Sequence, residues 1–141
     1  MVSPAVTPLL TSELDEAFLI ASLGAIHLDP DSWRCETLAH MVEPEDGGVL
    51  ISRGLSGRVC GLLSFRIVRD EGAAPSLAVD RLVAFDLMDP QTVANDLIAE
   101  AIRRARLKDC LTLTLIRPLD SPSTTTALVL ASGVAELHSV F

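Results

Sequence analysis

Residues 90–107, PQTVANDLIAEAIRRARL, constrain this chain more than any other stretch. Val93, Ala94, Leu97, Ile98, Ala101, Ile102 and Ala105 recur at three- and four-residue intervals. That spacing predicts an amphipathic helix whose apolar stripe has to lie on something. The flanking runs supply it. LAVDRLVAF (77–85) and CLTLTLI (110–116) are rich in β-branched and leucine side chains and read as strands. A helical connection of this length lets the second strand lie parallel to the first, which a hairpin cannot do.

The remaining segments build outward from that unit. PAVTPLL is a proline-limited apolar run suited to an edge strand. Ser12, with Asp15 three residues on, reads as an imperfect capping box opening a first helix through Leu14, Phe18, Ala21 and Ala25. Asp29 as cap and Pro30 at the first helical position open a second helix that ends near Val42. GVLIS and GRVCGLLSFRIV, joined by RGLSG, form a hairpin. TTTALVLAS reads as a short helix, apolar nearly all round and stopped by Gly133, and VAELHSVF as a last strand. The expected order is β-α-α-β-β-β-α-β-α-β. This is an α/β fold with a mixed sheet flanked by helices, in a single domain spanning 1–141.

Charge and cysteine usage narrow the function classes. Residues 1–46 hold nine acids and one base, Arg34, while residues 47–141 hold ten of each sign. The net charge of −8 argues against nucleic acid, whose binders cluster Lys and Arg. Such a surface could attract a cationic partner, small molecule or protein, but a plain solvated acidic face is the better explanation. Cys35, Cys60 and Cys110 are isolated, and His27, His40 and His138 form no local pair with them. The expectation is therefore buried, reduced thiols and no metal site. No apolar run is long enough to span a bilayer, and the start lacks a leader-like pattern, so the cytoplasm is the expected compartment.

The order of elements resembles the GNAT superfamily of N-acetyltransferases over nearly the whole chain. In that family the fourth strand reads roughly Leu-x-Val-x-Pro, then Arg/Gln-x-x-Gly-x-Gly/Ala, then a helix opening on a Leu-Leu-like pair. The matching stretch begins at Leu82, passes through Asp89-Pro90-Gln91-Thr92-Val93-Ala94 and reaches Leu97-Ile98. A later pattern, Leu-Tyr-x-x-x-Gly-Phe, falls on Leu128-Val129 through Gly133-Val134. The resemblance implies acyl transfer from acetyl-CoA to an amine. It implies that the pantetheine arm pairs with backbone at Val83, Ala84 and Phe85. It also implies that the pyrophosphate meets the start of the next helix at Gln91, Thr92, Val93 and Ala94. Asp80, on the fourth strand, takes the carboxylate position of a general base, and Trp33 lies where the family builds its acceptor pocket.

Each departure from the pattern has a physical effect. Asp89 sets negative charge beside a negative ligand, costing about 1 kcal/mol in water at 4 Å and about 4 at an effective dielectric of 20. The Cβ of Thr92 narrows an approach that glycine leaves open, and Pro90 offers no N–H. The same letters make a good helix start, with Asp89 as N-cap and Pro90 at N1. The tyrosine position is Val129, and the chain has no tyrosine, so a phenolic acid is excluded. On a regular strand, Arg81 would point away from Asp80. Two classes follow: a divergent CoA-dependent acyltransferase with Asp80 as base, or a GNAT-like binding, regulatory or dimerisation module without CoA.

Overall fold

The computed structural model describes residues 6–24, 28–43, 46–54, 56–69, 71–72, 74–85, 90–117, 127–130 and 134–139. Strand β1 (Val6–Pro8) leads through a 3₁₀ turn into helix α1 (Leu14–Ala21), followed by helix α2 (Pro30–Val42). Strands β2 (Gly47–Arg53), β3 (Val59–Val68) and β4 (Ser76–Phe85) come next, then helix α3 (Pro90–Leu107). Strands β5 (Thr112–Arg117), β6 (Ala127–Leu130) and β7 (Val134–Ser139) follow. The sheet order is β1-β2-β3-β4-β5-β7, and β6 also pairs with β4.

The expected meander is present: β2, β3 and β4 pair antiparallel, with β1 on the outer edge of β2. The crossover through α3 sets β4 and β5 parallel, Ser76–Val79 against Thr112–Leu115. The α3 stripe is buried as its spacing requires. Ala94, Leu97, Ala101 and Ala105 are fully enclosed and pack with Leu50, Leu63, Leu77, Val79 and Leu82 of the sheet. Close approach is possible because Gly61 on β3 has no Cβ. One added there would lie 2.7 Å from Val93 Cγ1 and 2.8 Å from Leu97 Cδ1.

The opposite face carries a second core. Ala17, Ala21 and Trp33 from α1 and α2 cover Val49, Ile51 and Leu62, and the Trp33 ring meets Phe18 at 5.6 Å between centroids. Asp29 caps α2 as expected, its carboxylate accepting from the Ser32 N–H at 2.8 Å. Helix α1 starts differently. Glu13, not Ser12 with Asp15, closes the turn by accepting from the Leu10 N–H at 2.8 Å. Glu13 is also paired with Arg53 of β2. The pairing with Arg53 thus selects Glu13 for this role.

Three expectations are corrected. Residues 127–130 form a strand rather than the middle of a helix, because a four-residue apolar run fits either structure and a free edge on β4 selects the extended one. The cysteines are not uniformly buried: Cys110 is enclosed, Cys60 half-buried and Cys35 exposed on α2, all three free. Finally, the side-chain alternation of β4 breaks. Ser64 pairs with Arg81 while Phe65 pairs with Val79, leaving Asp80 as an extra residue in a β-bulge. Val79 and Leu82, three apart, consequently share the α3 face.

Candidate functional site

The bulge builds the site. It turns both Asp80 and Arg81 toward the face covered by α2, where strict alternation would have separated them. Helix α2 meets them with a stripe at helical spacing: Trp33 and Thr37 are buried, and His40 is half-buried. These side chains, with Glu36, Val49, Leu62, Ser64 and Arg81, line a small recess between α2 and the sheet.

Two charged hydrogen bonds hold Asp80. His40 Nε2 lies 2.9 Å from Asp80 Oδ2, and Arg66 Nε donates to Oδ1 at 3.1 Å. The other ring nitrogen, Nδ1, lies 2.9 Å from the Glu36 carbonyl oxygen. Both partners of the ring are acceptors, an arrangement that favours the ring protonated on both nitrogens. The hydrogen bond to Asp80 raises the His40 pKa above its ordinary value, against the opposing effect of burial. Burial alone would push the Asp80 carboxyl up. The His40 hydrogen bond and the Arg66 charge outweigh it and hold the carboxyl below its ordinary value.

Arg81 is different. Its Nη1 is buried and has no hydrogen-bond partner among the described residues. A buried donor without a partner costs about 1–3 kcal/mol, more when charged.

The residues expected at the phosphate end are described only in part. Gln91 and Thr92 are exposed at the start of α3, and the Gln91 amide donates to Asn95 at 2.9 Å. Val93 and Ala94 turn their side chains into the core. Asp89 lies outside the described residues. At the strand end, Val83, Ala84 and Phe85 pair with Val129, Leu128 and Ala127 of β6. The other edge of Val83 and Ala84 is taken by β3. An extended arm therefore does not fit on this edge while β6 is in place. No group of three or more His, Cys, Asp or Glu suited to a metal occurs among the described residues. No helix among them is long and apolar enough to cross a membrane.

His40 and Arg66 escaped the sequence reading because their contacts to Asp80 are 40 and 14 residues away in the chain. A signal for His40 was nevertheless present: Trp33, Thr37 and His40 fall on one helix face.

No protein-family model and no curated relative matches the sequence. Solved structures do match in shape. An aminoglycoside N-acetyltransferase, AAC(6')-Iy, in complex with a bisubstrate analogue of CoA superposes with a TM-score of 0.67 at 15% identity, covering 88% of this chain and 84% of that one. A GNAT family acetyltransferase from Brucella melitensis in complex with acetyl-CoA gives 0.61 at 13% identity, covering 97% of both chains. A GNAT family acetyltransferase from Streptococcus pneumoniae gives 0.62 at 9% identity, over 95% of this chain and 99% of that one. The chain has the GNAT fold.

Proposed function

We propose that this protein is a GNAT-fold N-acyltransferase whose acceptor amine is received in the recess beside Asp80. The observation that carries the reading is the Asp80 carboxylate on the β4 bulge, half-buried, held by His40 and Arg66 next to a cavity. Structures of similar shape hold CoA species. When bound, an acyl-CoA would supply the acyl group. The chain's own groups handle charge and protons. Asp80 holds an incoming ammonium and takes its proton, directly or through water. His40 is a positioning residue: its imidazolium fixes one carboxylate oxygen, and the Glu36 carbonyl fixes the ring. Arg66 fixes the other oxygen. With these partners Asp80 stays ionised, ready to accept a proton, though as a weaker base than an isolated carboxylate.

A second reading has its own observation. β6 covers the Leu82–Phe85 edge of β4, which favours a binding or regulatory module without CoA. Calorimetric titration of the full chain with CoA and acetyl-CoA, followed by acetyl transfer to a panel of amines, separates the two. Micromolar binding with turnover supports the acyltransferase. No binding at millimolar ligand leaves the module.

A further inference from the structure

We infer that the recess recognises a carboxylate, and that its ligand is a small amine bearing one. The inference rests on the reading of this recess as the acceptor site. It begins with Arg81, whose Nη1 is buried and unpartnered on the wall of the recess. A guanidinium has donors and no acceptor, so its buried N–H needs an acceptor. None of the neighbouring acids serves. Asp80 accepts from His40 and Arg66, one on each oxygen, and Arg81 Nη1 reaches neither oxygen.

The charge count around the recess points the same way. With His40 protonated, His40, Arg66 and Arg81 bring three positive charges against two negative ones, Asp80 and, on the exposed turn of α2, Glu36. This cationic excess sits in a chain of net charge −8. The bulge at Asp80 creates it, since a regular strand would have sent Arg81 to the α3 core. A carboxylate matches the planar guanidinium fork and can accept two parallel hydrogen bonds. The Ser64 and Thr37 hydroxyls lining the same recess offer further polar contacts. The amine of such a ligand would face Glu36 and Asp80, which supply the negative charge.

The test uses the full chain without CoA. Glycine, acetate, glycinamide and inorganic phosphate are titrated against ¹⁵N-labelled protein, with the Arg81 guanidinium and His40 ring signals followed by NMR. Glycine and acetate are expected to shift the Arg81 signal, and glycinamide to leave it unchanged. Arg81→Lys keeps the charge and loses the fork, so carboxylate affinity should fall by about tenfold or more. Arg81→Met should abolish it. If Arg81→Met does not fold, the ligand series on the wild type and Arg81→Lys still decides. An equal response to glycinamide, a response to phosphate alone, or none to either carboxylate overturns the inference. Carboxylate binding without any acyl transfer sustains it while sinking the acyltransferase reading. Acyl transfer to amines lacking a carboxylate, undiminished in Arg81→Met, does the reverse.

Discussion

At the scale of single residues, Asp80 and His40 carry opposite linkages to pH. The folded pKa of His40 is raised, so its contribution is fully present below the unfolded value of about 6.5 and is lost as pH rises through the folded value. The folded pKa of Asp80 is depressed, so its contribution is present above about 3.9 and is lost as pH falls through the folded value. The pair therefore stabilises most fully between those limits. Urea midpoints should fall on the alkaline side, and Asp80→Asn should flatten that fall. NMR titration of the ring should show the His40 midpoint dropping toward its ordinary value in Asp80→Asn. Once an acceptor is in hand, Asp80→Asn should lower turnover by ~10²–10⁴, the range for a lost general base. Unchanged steady-state rates would assign Asp80 to structure. Asp80 itself was legible from its place on the fourth strand. Its neighbour Arg81 was not, because alternation fails wherever a strand carries one extra residue, and bulges leave no reliable mark in sequence.

At the scale of elements, periodicity predicted well wherever a segment was long. The α3 stripe, the bounds of α2 and the β2–β3–β4 meander all follow from spacing and caps that local chemistry enforces. Ala127–Leu130 was misread because four apolar residues carry too little period to distinguish helix from strand, and the deciding partner is β4, more than 40 residues earlier. Two substitutions examine these elements. Gly61→Ala forces a methyl against Val93 and Leu97, and overpacking of this kind costs about 1–3 kcal/mol. The urea midpoint should drop accordingly, and a value equal to wild type would mean that α3 sits farther from β3. Asp29→Ala removes the cap on Ser32 N–H and should cost about 1 kcal/mol. Because α2 presents His40, the same variant should also broaden the His40 ring signal.

At the scale of the whole molecule, the sheet divides at Asp80. Before the bulge β4 runs beside β5, and after it beside β6. The helices split the labour: α3 closes one face with apolar packing, while α2 brings polar groups to the other. A ligand that binds only the folded state, present at 100 times its dissociation constant, stabilises by about 2.7 kcal/mol. A thermal shift with acetyl-CoA therefore reports whether the folded chain binds it at all, and a flat response at millimolar ligand would favour the module. β6 and an extended ligand need the same backbone groups of Leu82–Phe85, so the two exclude each other. Any arm that binds there waits for the strand to leave. The observed association rate should level off with rising ligand concentration at the speed of that departure. The measured affinity should equal the intrinsic one scaled down by the fraction of molecules whose edge is bare.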